Sequence, residues 1–174
     1  MSDTGTESMI GKDVGDLLCA RGETVAVAET CTGGHVGSLL TATPGASDYL
    51  DRVVVPYDYD ALRDLLAVSR ETLDDHGAVS EQTATALARA VRDTADTTWG
   101  VSTAGVLGPD GAAAETPVGT AFVGVAYAAP WGTGDSDATV ARYAFDGDRI
   151  DIRTRVAEQA LQDLLDVANA RPER

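Results

Sequence analysis

The sequence has few of the residues on which secreted, metal-binding or membrane-embedded proteins depend. Its 174 residues include two cysteines and two histidines. Two cysteines, Cys19 and Cys31, cannot supply a disulfide framework for a chain of this size, which indicates a reducing compartment. No apolar run approaches the ~20 residues of a membrane-spanning helix, and the first residues lack the basic and apolar parts of a signal peptide. We therefore expect a cytoplasmic protein that does not enter a membrane.

Positive charge is also scarce. Thirteen Lys and Arg stand against 28 Asp and Glu, which gives a formal net charge of -15. Such a surface repels nucleic acid and anionic membranes at long range, so we exclude nucleic-acid binding as the main function. Lys12 is the one lysine. An acidic surface almost without lysine suits concentrated salt, where the Debye length falls to ~3 Å at 1 M. The sequence thus predicts a salt-adapted (halophilic) protein; the alternative is an acidic protein of an ordinary cytoplasm.

No metal site is predicted. Cys31 and His35 lie four residues apart, but structural zinc sites use paired ligands at CxxC or HxxxH spacing, and the sequence has no second pair at such a spacing. His76 precedes Gly77 and is expected to help end a turn. Trp99 opens a predicted strand and is expected in the core rather than against a ligand.

The apolar pattern predicts one α/β domain. Residues 1–8 are polar and acidic, so we expect a disordered tail there and a domain over residues 9–170. Short apolar runs alternate with segments of 3.6-residue periodicity, which predicts a layered α/β sandwich with a parallel or mixed sheet. The predicted strands are 24–28, 49–55, 98–103, 120–127 and 138–145. The predicted helices begin near residues 10, 34, 60, 81 (after the N-cap Ser80) and 152.

A polar turn directly follows the first predicted strand. It reads Glu29-Thr30-Cys31-Thr32-Gly33-Gly34 and leads into a helix. Free backbone N–H groups at the start of a helix, with the hydroxyls of Thr30 and Thr32, can hold a phosphate or a developing oxyanion. The alternative is that Thr32 caps the helix and the glycines only permit a tight turn. The spacing matches neither a Walker A loop nor GxGxxG and does not decide between the two.

A second glycine-rich loop follows the predicted strand 98–103. It runs from Gly105 to Gly119 and includes Gly108-Pro109-Asp110-Gly111. Loops of this length without secondary structure are uncommon unless they are functional or disordered. In an open α/β sheet, this loop would lie beside the Thr30 turn at the carboxyl edge, where ligands bind. We therefore expect a mononucleotide-sized crevice between the two loops.

Taken together, these segments resemble the CinA C-terminal domain family, whose characterised members are nicotinamide-nucleotide amidases. The resemblance runs from about residue 10 to residue 165. Its carriers are Ala28–Gly34, Pro44–Ser47, Val54–Tyr57, Glu71–Leu73, His76–Glu81, Gly105–Gly111 and Pro117–Thr120. It implies a three-layer α/β/α domain that hydrolyses the carboxamide of nicotinamide mononucleotide to nicotinate mononucleotide and ammonia, without a metal or other cofactor. We also expect a small homo-oligomer.

The resemblance also implies roles for particular residues. Thr30 stands where the family has a serine and would be the nucleophile; Tyr57 is kept as a proton carrier or orienting group. The residues expected to bind substrate or phosphate are Thr32, Gly33, Gly34, Gly105, Gly108 and Arg149. Because a helix start offers N–H groups and arginine a forked charged donor, we predict that Thr32, Gly33 and Gly34 converge with Arg149 on one anion.

The sequence departs from the family pattern at three positions. Threonine replaces serine at Thr30, Ala104 replaces a small hydroxyl residue, and Leu62 occupies the position of a lysine. Threonine still offers a hydroxyl, although its methyl group stiffens χ1. Leucine cannot accept a proton, and loss of a general base typically costs ~10²–10⁴ in rate. Asp58 or Asp60 would replace it only if burial raised the basicity of the carboxylate.

Three functions remain open at this point. The first is an active amidase on nicotinamide mononucleotide or a near relative. The second is a catalytically lapsed relative that binds a nucleotide as a sensor or partner subunit. The third is a structural paralogue in which the loops are only turns. Leu62 distinguishes the first from the others, and Arg149 with the Thr32–Gly34 turn distinguishes the second from the third.

Overall fold

A five-stranded mixed sheet forms the centre of the molecule. The computed structural model describes residues 9–172; the predicted tail, 1–8, lies outside the described residues. The strands are β1 (Val25–Glu29), β2 (Leu50–Val54), β3 (Trp99–Gly105), β4 (Thr120–Tyr127) and β5 (Asp137–Ala144). Their order is β2-β1-β3-β4-β5. Strands β2, β1 and β3 are parallel to one another, whereas β4 is antiparallel to both β3 and β5, which confirms the predicted mixed sheet.

Helices cover both faces of this sheet. They are α1 (Ile10–Arg21), α2 (His35–Thr41), α3 (Tyr59–Leu66), α4 (Arg70–His76), α5 (Glu81–Ala95) and α6 (Arg149–Asn169). Helices α1, α2 and α6 pack against one another on one face, and α3 and α4 pack against α5 on the other. The three-layer α/β/α architecture is therefore confirmed. None of the helices in residues 9–172 is long and apolar enough to cross a membrane.

The sheet separates two apolar cores, and the side chains of β1 contribute alternately to one and the other. Val25 and Val27 contribute to the cluster beneath α1, α2 and α6, together with the buried Trp99. Ala26 and Ala28 contribute to the cluster beneath α3, α4 and α5. Because successive side chains of a strand point to opposite faces, one five-residue apolar run serves both layers. Trp99 lies in the core, as predicted.

The helix boundaries follow local signals in the sequence. Gly22 ends α1 in the left-handed conformation. The Ser80 hydroxyl caps α5 and accepts a hydrogen bond from the Thr83 N–H group at 3.2 Å. Helix α4 was not predicted: it has seven residues, and Leu73 is its one buried side chain. A single buried residue gives no periodicity from which a helix could be read.

The order of the strands determines where a ligand site can lie. After β1 the chain passes through α2 on one face to β2, and after β2 it passes through α3, α4 and α5 on the other face to β3. The connections from β1 and β2 therefore leave the sheet on opposite faces, which opens a crevice at the carboxyl ends of β1 and β3. Thr30 follows β1 and Gly105 ends β3, so both predicted loops begin at this crevice.

Candidate functional site

A cleft of about 250 Å³ lies between the two predicted loops. The Thr30 turn forms one wall and the segment Gly105–Gly111 forms another. Its lining residues are Thr30, Cys31, Tyr57, Leu62, Ala78, Val79, Gly105, Val106, Leu107, Gly108, Asp110, Gly111 and Arg149. The structure thus brings together six of the residues that the sequence predicted for the site: Thr30, Tyr57, Leu62, Gly105, Gly108 and Arg149. We refer to it as the Thr30 cleft.

The Thr30 side chain is held by the backbone of the neighbouring strand. Its hydroxyl donates a hydrogen bond to the Thr103 carbonyl oxygen at 2.9 Å, and its backbone N–H donates to the same oxygen at 3.1 Å. Two bonds to one carbonyl fix the position of the hydroxyl beside the cleft. The carbonyl oxygen accepts this hydrogen bond but is too weak a base to take the proton. Nucleophilic attack by Thr30 therefore requires another group as base.

The N–H groups at the start of α2 already have an acceptor. The Glu29 carboxylate is fully buried. It accepts hydrogen bonds from the N–H groups of Gly34, Val36 and Gly37 at 3.0, 3.0 and 2.8 Å. The Thr32 hydroxyl donates to it at 2.6 Å. An internal carboxylate therefore satisfies the helix start that the sequence analysis assigned to an anion.

The predicted convergence of Thr32, Gly33 and Gly34 with Arg149 does not match this geometry. Arg149 lines the Thr30 cleft, whereas none of the other three does. Thr32 is fully buried and is also 2.8 Å, oxygen to oxygen, from the Thr103 hydroxyl. The reason is the competing carboxylate of Glu29, which sequence reasoning missed. An acidic residue at the end of an otherwise apolar strand, directly before a helix start, is the signal that points to it.

Arg149 connects the glycine loop to Tyr57. It is exposed on the first turn of α6, and its Nη1 donates to the Gly108 carbonyl oxygen at 2.5 Å. Its Nη2 donates to the Tyr57 hydroxyl oxygen at 3.3 Å. Among the described residues that line the cleft, Arg149 is the only cation. It is therefore the group in the cleft best suited to attract an anion.

Leu62 forms an apolar part of the cleft wall. Its side chain is 2% exposed and packs in the core cluster that includes Leu66 and Leu73. Neither predicted substitute for a base lines the cleft. Asp58 is exposed and accepts the Ala61 N–H at 2.7 Å as the cap of α3. The Asp60 side chain is 85% exposed and pairs with Arg63. The burial that would make either carboxylate more basic is absent.

The thiol in the cleft is not a substitute nucleophile. Burial raises the pKa of Cys31 to about 12, so the thiolate that would attack a carbonyl is not formed near neutral pH. Cys19 is exposed on α1, and both cysteines are free. Among the described residues, no group of three or more His, Cys, Asp or Glu side chains is placed to hold a metal ion.

The cleft includes residues to which sequence reasoning gave no role. Asp110 is an exposed carboxylate in the glycine loop, and Ala78 and Val79 come from the connection between α4 and α5. Asp110 and Tyr57 are both exposed and lie where the cleft opens to solvent. Ala78 and Val79 belong to the segment that carried the family resemblance, but their small apolar side chains have no chemistry that marks them as site residues.

Comparison with known proteins identifies the family of this chain. A model of the CinA C-terminal domain matches residues 7–168. A CinA-like protein of Anaeromyxobacter sp. (strain K) is 50% identical over 144 residues, which cover 83% of this chain and 34% of that protein. A CinA-like protein of Synechocystis sp. is 48% identical over 120 residues, covering 69% and 29%. The chain spans about a third of the length of these curated relatives.

Solved structures show the same architecture. The competence/damage inducible protein CihA from Agrobacterium tumefaciens superposes with a TM-score of 0.86 at 32% identity, covering 97% of this chain and 99% of that chain. The competence damage-inducible protein A from Klebsiella pneumoniae gives a TM-score of 0.85 at 28% identity, covering 92% of this chain and 95% of that chain. The likeness therefore extends over nearly the whole described domain.

Proposed function

We propose that this chain, which belongs to the CinA C-terminal domain family, binds nicotinamide mononucleotide or a near relative in the Thr30 cleft and hydrolyses its carboxamide slowly. The observation that carries the proposal is the make-up of the cleft wall. Thr30, Tyr57, Arg149 and the glycine loop all line it, but Leu62 occupies the place of the family's lysine. Of the expected binding groups, Arg149 and the glycine loop line the cleft and the Thr32–Gly34 turn does not. The expected base is absent.

Arg149 supports the binding half of the proposal. A guanidinium offers two parallel N–H donors to a phosphate, and it stays charged at every relevant pH. On a chain of net charge -15, a cation at the cleft also lowers the local repulsion that an anionic ligand meets. We assign the phosphate to Arg149 and the carboxamide to Thr30. The N–H groups of the Gly105–Gly108 segment would face the developing oxyanion.

The proposed reaction transfers the acyl group of the carboxamide first to Thr30 and then to water. The Thr30 Oγ attacks the carbonyl carbon and loses its proton, and the carbon–nitrogen bond breaks as the departing nitrogen gains a proton to become ammonia. Water then cleaves the ester, which yields nicotinate mononucleotide and restores the hydroxyl. Both steps require a group that accepts a proton and returns it.

No strong base lies beside Thr30 among the residues that line the cleft. Leu62 has no acceptor, the Thr103 carbonyl cannot take the proton away, and Cys31 stays protonated. Tyr57 and Asp110 remain, and both are exposed to water. A general base typically contributes ~10²–10⁴ to the rate. We therefore expect a turnover rate lower by that factor than the rate of a relative that retains the lysine. The same observation favours a second candidate, a lapsed nucleotide-binding sensor, which differs from our proposal in having no turnover.

Two measurements on the purified protein in molar salt test the proposal. Isothermal titration with nicotinamide mononucleotide measures binding, and ammonia release measures hydrolysis. We expect Arg149→Ala to weaken binding about tenfold or more, since it removes a charge-assisted pair. Arg89→Ala is the matched control, because Arg89 is exposed on α5 and does not line the cleft. Absence of binding by the unmodified protein would leave the ligand-free paralogue as the remaining function. We also propose a homo-oligomer, which sedimentation would measure.

A further inference from the structure

A second concavity continues directly from the Thr30 cleft. It measures about 1020 Å³, and Val79, Val106 and Gly111 line both spaces. We refer to it as the α4–α5 groove, because the connection between α4 and α5 forms one wall. Residues 113–116 and Arg142 of β5 form the opposite wall. A ligand that extends past the three shared residues would enter this groove.

The two spaces together have room for a ligand larger than a mononucleotide. Pockets that bury most of a small ligand measure ~300–1,000 Å³. The Thr30 cleft, at about 250 Å³, lies below this range and covers one nucleotide unit at most. The α4–α5 groove adds about 1020 Å³, which is room for a second unit and for water.

The groove is lined by an exposed aromatic side chain and by neutral hydrogen-bonding groups. Tyr59 lines the groove and is 48% exposed, and a Cβ on Gly77 would lie 4.0 Å from its hydroxyl oxygen, so the hydroxyl end of the side chain lies beside the α4–α5 connection. Gln82 is exposed in the same wall and offers both an amide donor and an acceptor. An aromatic face beside an amide is a common arrangement for a heterocyclic base, which stacks on the ring and pairs with the amide.

The guanidinium of Arg142 is held in the wall of the groove that lies opposite the α4–α5 connection. Its Nη2 donates to the Glu115 carbonyl oxygen at 2.5 Å, and its Cζ lies 5.7 Å from the centroid of the Phe122 ring. These contacts hold the loop that forms the far wall. Asp75, Glu81 and Glu115 also line the groove. Three carboxylates discourage additional phosphate groups there, so the charged part of the ligand belongs near Arg149 and an uncharged part belongs in the groove.

We propose that the α4–α5 groove holds the second nucleoside of a dinucleotide whose nicotinamide half occupies the Thr30 cleft. The ligand class is therefore a nicotinamide nucleotide joined through a diphosphate to another nucleoside. The diphosphate lies over the shared residues beside Arg149, and the second base stacks on Tyr59. This inference rests on the proposed function, because it takes the nicotinamide position from it.

Titration calorimetry with three probes tests the inference: nicotinamide mononucleotide, its adenine dinucleotide, and adenosine monophosphate. We expect the dinucleotide to bind about tenfold or more tightly than the mononucleotide. Tyr59→Ala and Arg142→Ala should remove most of that difference while leaving mononucleotide affinity unchanged. Arg89→Ala should change neither affinity. Circular dichroism establishes that each variant is folded.

The outcomes separate this inference from the proposed function. If the mononucleotide binds and the dinucleotide binds no better, the groove is not a nucleoside site and only the inference fails. The inference also fails if Tyr59→Ala weakens both ligands equally, or if sedimentation shows that a second copy of the chain covers the groove and Arg142→Ala releases it. If neither nicotinamide probe binds, the proposed function fails first.

Discussion

Leu62 belongs both to an apolar core and to the lining of the candidate site. Its side chain is almost fully buried and belongs to the apolar cluster beneath α3, α4 and α5. The same side chain lines the Thr30 cleft. A lysine at this position would lay its four methylene groups along the cluster and bring its amine to the cleft. Partial desolvation would lower the pKa of that amine toward the range of a general base.

Leu62→Lys is therefore expected to raise ammonia release from nicotinamide mononucleotide by ~10² or more. Nucleotide affinity should change little, since Arg149 is untouched. The pair Leu62→Lys with Thr30→Ser should exceed either single change, because nucleophile and base act as a unit. Leu62→Met is the control: it gives a long, unbranched side chain without an amine. Robust turnover by the unmodified protein, or no gain from the folded, ligand-binding pair, would mean that the roles are assigned to the wrong residues.

The two cysteines should differ in their reaction with a thiol reagent. Burial raises the pKa of Cys31 to about 12, so its thiolate fraction is negligible at about pH 8 and rises only as the pH nears that value. Cys19 is exposed on α1. We expect a maleimide to label Cys19 first and Cys31 only after denaturation, as read by peptide mass spectrometry. Equal labelling of both thiols in the folded protein would contradict the raised pKa of the half-buried Cys31 thiol.

Glu29 should be a main determinant of the stability of the turn that carries Thr30. Its carboxylate accepts three backbone N–H groups and the Thr32 hydroxyl. Glu29→Gln replaces one of the two acceptor oxygens with an NH₂ group that faces at least one of these donors, and we expect a loss of ~1–3 kcal/mol in the free energy of unfolding. Urea titration measures the loss. Glu71→Gln, at an exposed position on α4, is the matched control; similar losses in both variants would contradict the role of Glu29.

At the scale of elements, helix α5 depends on small residues in the sheet beneath it. A Cβ on Gly100 would overlap the Ala88 carbonyl oxygen of α5 and would lie 2.7 Å from the Arg92 Cβ. The Ser102 hydroxyl donates to the Ala84 carbonyl oxygen at 2.7 Å, which ties β3 to the same helix. The close approach of helix and sheet leaves no room for a methyl group on this glycine.

Gly100→Ala is thus expected to destabilise the domain by ~1–3 kcal/mol or more, because α5 must move away from β3 and β4. Thermal unfolding followed by circular dichroism measures the effect. Arg89→Ala changes an exposed position of the same helix and should stay within ~0.5 kcal/mol of the unmodified protein. Unchanged stability in Gly100→Ala would show that α5 does not lie as close to the sheet as described.

Helices and strands were predicted correctly where buried residues recur at a regular spacing. Strand β4 was predicted at residues 120–127 as observed, and the caps Gly22 and Ser80 lie at real helix ends. Helix α4 was missed because one buried residue creates no period. The two predicted loops and Arg149 line one cleft, and the roles assigned to them stay predictions. The Thr32–Gly34 turn was predicted to bind an anion, but the Gly34 N–H donates to the Glu29 carboxylate instead. Spacing in the sequence does not specify where the Glu29 side chain folds.

At the scale of the whole molecule, unbalanced negative charge dominates the surface. The sequence has 28 acidic residues, and six ion pairs join aspartate to arginine or lysine within residues 9–172. Most of the acidic residues that the structure describes therefore have no cation at ion-pair distance. Their mutual repulsion is larger in the compact folded chain than in the expanded unfolded one, so at low ionic strength it destabilises folding. The salt-adapted character and the cytoplasmic location remain predictions.

Stability should therefore rise with salt concentration. The Debye length shortens from ~10 Å at 0.1 M to ~3 Å at 1 M, which screens carboxylates that face one another across the surface. We expect the midpoint of thermal unfolding to increase over this range of potassium chloride. Lowering the pH toward the isoelectric point of about 4.2 protonates part of the carboxylates, so the salt dependence should weaken there. An uncharged osmolyte distinguishes charge screening from a general stabilisation of the compact state, since it favours that state without screening charge. A midpoint that does not depend on salt at neutral pH would identify an acidic protein of an ordinary cytoplasm.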